Sequence, residues 1–164
     1  MMNGLPAPDA RPGMFIAVGP PSFTAIAFIG VANAATDVFP PYRIAGIADT
    51  SLLPELIKFL AVVGSIFLWA LALWFFAVSV LAVLHGMRES SFHMTWWAMV
   101  FPNVGFTIAT IYIGSALESG AILWIGSAMT ICIAVVWCFV AVHHVRAVWR
   151  RQILWPGKDE DSTK

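Results

Sequence analysis

Four apolar stretches of bilayer length fill most of this chain, and they alternate in kind. The first is interrupted by Gly19-Pro20-Pro21 and the third by Phe101-Pro102-Asn103, whereas the second and fourth run on without proline. A helix needs roughly 20 apolar residues to cross the hydrocarbon core. Proline removes a backbone donor, and its ring clashes with the carbonyl four residues back. At bilayer depth the backbone groups disturbed in this way can be satisfied only by protein or by water in a cavity. The interrupted stretches are therefore expected to surround a polar route, and the uninterrupted ones to face lipid.

Read as spans, the stretches cover residues 14–35, 56–84, 94–116 and 121–142 within a four-helix transmembrane region, 14–148. Residues 1–13, with three prolines, are expected to form an amino-terminal loop, and 149–164 a cytoplasmic tail. The fold class is all-α, an integral membrane helical bundle. With 60% hydrophobic and 11% charged residues, the composition excludes a soluble domain. A net charge of zero offers nothing to nucleic acid. The opening residues lack the basic and apolar regions of a secretory signal.

Orientation follows from Lys and Arg near the span ends. Arg11, Arg88, Arg146, Arg150, Arg151, Lys158 and Lys164 fall on one side, Arg43 and Lys58 on the other. The bias predicts cytoplasmic termini, and the membrane is expected to be the plasma membrane.

No Asp, Glu, Lys or Arg lies in the middle of any span, so no intramembrane carboxylate or fixed cation is available to a solute. Selectivity is then expected from dipoles. Amides just after Pro20 and Pro102, those of Ser22, Asn103 and Val104, would form the positive end of a half-helix and favour anions. Asn103, Thr107, Thr110 and Gly114 share one helical face; Ser22, Gly30 and Asn33 form a weaker stripe. Either stripe can line water, and either can equally hydrogen-bond a neighbouring helix. Phe101 can plug a pore by excluding water, or simply pack. It lies about 200° from Asn103 on an ideal helix, so the two cannot face one pore without distortion.

His85, His93, His143 and His144 map to the cytoplasmic rim without metal-site spacing, and Cys132 and Cys138 read as apolar filler. No nucleophile has an adjacent base, so neither an enzyme nor a cofactor or metal site is expected. Trp69, Trp74, Phe75, Phe76, Trp124 and Trp137, on the uninterrupted spans, read as lipid-facing.

Arg11-Pro12-Gly13-Met14-Phe15 leading into Gly19-Pro20-Pro21-Ser22-Phe23-Thr24, then Trp96-Trp97-Ala98 leading to Phe101-Pro102, resemble the C-terminal part of the tellurite-resistance and dicarboxylate transporter family. That family includes plant slow anion channels and fungal malic acid transporters. The resemblance covers essentially the whole chain. It implies a pore of ten helices, five proline-kinked inner ones ringed by five outer ones, with this chain supplying helices seven to ten. It implies Phe101 as the occluding residue, with Pro20, Pro102 and Asn103 as pore neighbours and Gly19, Pro21, Ser22, Thr24 and Thr107 around the kinks. It further implies a small anionic substrate, malate or another C4-dicarboxylate or else sulfite, and assembly as a homotrimer. Because six helices of that pore are missing, the chain alone is not expected to enclose one and would need those helices or a partner chain. Two other classes fit the residues: a non-conducting four-helix assembly subunit and a membrane redox subunit.

Overall fold

The computed structural model describes residues 4–38, 52–86 and 92–151; no strand occurs among them. Four α-helices follow in order: α1 Gly19–Val38, α2 Leu53–Gly86, α3 Phe101–Ala116 and α4 Gly120–Trp149. Two 3-10 helices, Pro8–Val18 and Met94–Met99, run directly into α1 and α3. Joined in this way, Pro8–Ala35, Leu53–Gly86, Met94–Ala116 and Gly120–Trp149 are each long and apolar enough to cross a membrane.

The prolines change the type of helix without opening a gap in it. Pro20, Pro21 and Pro102 would clash with carbonyls four residues earlier, and the chain before each tightens to i→i+3 bonding, with Gly19 N–H donating to Ile16 O and Val100 N–H to Trp97 O. The expectation of free amides after the break fails at Val104, whose N–H donates to Val100 O at 3.1 Å. Side chains complete the repair: Ser22 Oγ donates to Val18 O, Thr24 Oγ1 to Pro20 O and Asn103 Nδ2 to Met99 O, each four residues back at 2.7–2.8 Å.

Residues 8–13, expected as loop, are already helical. Pro8 starts that helix where a missing N–H costs nothing. Arg11 ties it down by donating to Pro6 O and to Ala82 O near the end of α2. Gly86 leaves room for that guanidinium, because a Cβ there would run into Arg11. The tail expected over 149–164 begins later than its first residue, since Trp149 closes α4; residues 152–164 lie outside the described residues, as do Arg43 and Arg88.

The two proline-interrupted spans are the buried ones, 39% and 56% over their most apolar window against 17% for α2 and 11% for α4. α2 packs along α1 and touches α3, while α4 packs on α3 and the second 3-10 helix. Small residues make the approach close: Ser65, Ala72, Ser79 and Gly86 recur every seven residues on the buried face of α2, and Ala25, Ile29, Ala32 and Ala35 are buried on α1. Ser65 Oγ donates across the seam to Ala25 O at 2.9 Å.

One group of expectations needs correcting. Trp74, Trp124 and Trp137 do point outward, but Trp69, Phe75 and Phe76 turn inward onto the cluster of Phe15, Val18, Ala72 and Phe106. Ring contacts decide it, with Phe106 lying 5.7 Å from Trp69 and 5.6 Å from Phe76.

The α3–α4 hairpin is the other tight seam. A Cβ on Gly126 would come within 2.6 Å of Ile111 Cγ1. Gly126→Leu is therefore expected to force the two helices apart and cost about 1–3 kcal/mol. Denaturation of the micellar protein with increasing SDS should show the lowered midpoint; an unmoved midpoint would mean that α4 does not pack at this register.

Candidate functional site

The two proline breaks face each other. A Cβ built on Gly19 would sit 3.6 Å from Pro102 Cβ, so the changes of helix type in the two buried spans occur at one depth. Around them lies a groove of about 570 Å3, lined by Ile16, Gly19, Pro20 and Phe23 from one span and by Met94, Thr95, Trp97, Ala98, Phe101 and Pro102 from the other. It is mostly apolar, and its lining comes from these two spans alone.

Phe101 is the most prominent side chain on this face. It is 69% exposed although it sits at the start of a buried helix, and its ring lies 5.5 Å from that of Phe23. Phe23 in turn rests on Gly105, where a Cβ would come within 2.9 Å of the ring. Glycine is required at 105 because the Phe23 ring occupies the space a side chain would take. A small residue on α3 thus holds the Phe23–Phe101 pair in place.

The residues singled out from the sequence divide between two faces. Gly19, Pro20, Phe101 and Pro102 line the groove. Pro21, Ser22, Asn103 and Thr107 are buried inside the four-helix unit, and Thr24 is exposed with its hydroxyl committed to Pro20 O. The separation of Phe101 from Asn103 matches their angular offset along a helix. The polar stripe of α3 is occupied by packing: Thr107 Oγ1 donates to Asn103 O, Thr110 Oγ1 to Phe106 O, and Trp69 Nε1 of α2 to Thr110 Oγ1 at 2.8 Å. One polar atom on that stripe stays unmatched, the buried Oδ1 of Asn103.

Sequence reasoning missed Phe23, Ile16 and Trp97. The first two had a signal, since Ile16, Pro20 and Phe23 fall at i, i+4 and i+7. It also missed a cluster of rings where α4 meets the second 3-10 helix: Phe92, Trp96, Trp97, Phe139, His143 and His144, with neighbouring centroids 4.3–6.2 Å apart. Among the described residues no three His, Cys, Asp or Glu side chains are placed to share a metal ion.

Among the described residues charge is confined to the helix ends. Glu55, Lys58 and Glu118 lie where α2 and α4 begin, and Arg11, Arg146, Arg150 and Arg151 lie at the opposite ends of the bundle. With four bilayer-length helices and no charged residue mid-span, the chain is an integral membrane protein.

Residues 1–145 match the family described as voltage-dependent anion channel. Two fission yeast (Schizosaccharomyces pombe) proteins are similar over nearly the whole chain. A malic acid transport protein is 36% identical over 97% of this chain and 36% of its own length. A putative malic acid transport protein is 35% identical over 95% of this chain and 36% of its own length. The chain thus spans little more than a third of these relatives. No solved structure matches it significantly.

Proposed function

The chain belongs to the voltage-dependent anion channel family, and from that premise we propose that it forms one wall of an anion pathway that carries small carboxylates of the malate type. The carboxylate is suggested by the two relatives, whose names specify malic acid transport. The observation that carries the reading is the exposed Phe101 beside Pro20, Phe23 and Pro102 on an uncovered apolar groove. An exposed ring at the junction of the two proline-interrupted spans, the more buried of the four, is where a pathway can be closed by keeping water out. Phe101 is the closing residue, and further helices, from a longer chain or another chain, complete the wall.

The anion arrives without a fixed cation at mid-depth, and the groove beside Phe101 is mostly apolar, so it is selected weakly. The arginines at the ends of the bundle set the orientation. Four crossings leave both termini on one side, and Arg11, Arg146, Arg150 and Arg151 make that side the cytoplasmic one.

The test is anion uptake into vesicles holding the protein expressed from its complete gene, with malate, sulfite and chloride compared. Malate uptake above that of protein-free vesicles is the expected result. Movement of chloride and sulfite without malate would overturn the carboxylate and leave the anion pathway standing. Uptake of none of the three would overturn both.

A further inference from the structure

We propose that His144 positions the segment leading to Phe101 through one hydrogen bond from Trp97, and that this bond makes the pathway sensitive to pH on the side where α4 ends. The inference rests on the reading of Phe101 as the closing residue.

The 3-10 helix Met94–Met99 runs into Phe101 through Val100 alone. Histidines hold it at three places, and the three respond differently to a proton. At its start, His93 Nε2 lies 3.5 Å from Asp9 Oδ2, and Thr95 Oγ1 donates to Asp9 O. Protonation of His93 strengthens that pair. In its middle, Trp96 stacks at 6.1 Å on His143, whose Nδ1 faces Phe139 O at 2.9 Å. A carbonyl oxygen only accepts, so His143 Nδ1 carries the proton. A second proton on Nε2 leaves the bond intact and places a cation against the Phe139 ring, 4.3 Å away.

The third contact is the reverse. Trp97 Nε1 donates to His144 Nδ1 at 3.3 Å. An indole N–H can only donate, so this nitrogen of His144 must be bare. Protonation would set N–H against N–H and break the contact. Of the three, it is the one that acid undoes, and imidazole is the side chain that changes charge in the physiological range. Trp97 already lines the groove beside Phe101. Released from His144, its indole turns into that groove and narrows it.

Among the described residues few other charges bear on the switch. Among the described elements α4 packs on α3 and the second 3-10 helix, and Phe92 just before that helix packs on His143 and His144. Neither helix contains Asp, Glu, Lys, Arg or His. On α4 itself the neighbouring groups are His143 and Arg146; Asp9 of the first 3-10 helix lies at the His93 end, and Arg11 reaches Ala82 O of α2.

Anion flux through the protein expressed from its complete gene is measured while pH on that side steps from about 7.5 to about 5.5. Wild-type flux is expected to fall about threefold, the worth of one neutral hydrogen bond. His144→Asn, whose Oδ1 accepts at every pH, should keep the neutral-pH flux at both values. Trp97→Phe, which has no N–H for His144 to hold, should show no step between the two values. A step that persists in His144→Asn, or a wild type with no step, overturns the proposal. A second readout does not need transport: the 15N indole resonance of Trp97 in micelles should move with pH in the wild type and stay still in His144→Asn. If the resonance behaves so while no anion moves, the transport reading has failed and the latch has not; a resonance that ignores pH sinks the latch.

Discussion

Phe101→Ala is expected to raise anion current about tenfold at equal protein, which corresponds to a barrier lowered by ~1.4 kcal/mol. The ring is 69% exposed on the groove, so its removal opens space at the constriction without emptying the bundle core. Its ring partner Phe23 remains seated on Gly105 and still narrows the groove, which keeps the gain below that of a fully open pore. Asn103→Ala is the matched control. Asn103 is two residues away and only 7% exposed, and its side chain bonds Met99 O. That substitution should lower stability and leave the current per folded molecule within about twofold, the scale of a sub-kcal change. Voltage-clamped cells with surface protein quantified separate the two. Equal currents from wild type and Phe101→Ala would remove Phe101 from the pathway. A tenfold rise in Asn103→Ala would place the pathway on the other face of α3.

The alternation of interrupted and uninterrupted spans was legible in the sequence because proline has one backbone consequence wherever it sits, and burial follows that alternation. The angular offset between Phe101 and Asn103 was equally legible, being fixed by helix geometry. Which of the two faces packs and which opens was not. That choice depends on Trp69 reaching Thr110, a contact between residues 41 apart that no periodicity encodes. For the same reason the sequence cannot tell Trp69, Phe75 and Phe76 from lipid-facing aromatics: apolar residues on a membrane helix suit lipid and protein equally, and only the partner decides. The tightening to 3-10 geometry before Pro20 and Pro102 was within reach, since the clash is known; its effect of satisfying Val104 was not, because it depends on the route of the preceding turn. Of the ring cluster on α4 only the Phe139–His143 pair, one turn apart, is local; Phe92, Trp96 and Trp97 lie far off in the chain, 47 residues away for the Trp97 contact.

Trp69→Ala should be among the most destabilising single changes in the chain, and the comparison with Trp69→Phe shows why. The side chain does two things at the α2–α3 contact: its N–H donates to Thr110 Oγ1 at 2.8 Å, and its ring lies over Phe106 at 5.7 Å. Hydrogen bonds between membrane helices are worth about 0.6 kcal/mol on average. Thr110 also keeps its own bond to Phe106 O when the indole is gone, so Trp69→Phe strands no buried hydroxyl. Its expected cost is below ~1 kcal/mol. Trp69→Ala deletes the ring as well and leaves a gap beside Phe106, which is 3% exposed. Large-to-small core changes of this kind cost about 3–5 kcal/mol. The lower end applies here, because the lost ring exchanges protein neighbours for lipid and not for water. Trp74→Ala, five residues on and 66% exposed, supplies the baseline within about 0.5 kcal/mol of wild type. Reversible SDS denaturation in mixed micelles ranks the three. If Trp69→Ala falls far below Trp69→Phe while Trp74→Ala stays near wild type, ring packing is what holds α2 against the proline-interrupted pair. Equal losses for the two substitutions of Trp69 would transfer that role to the hydrogen bond.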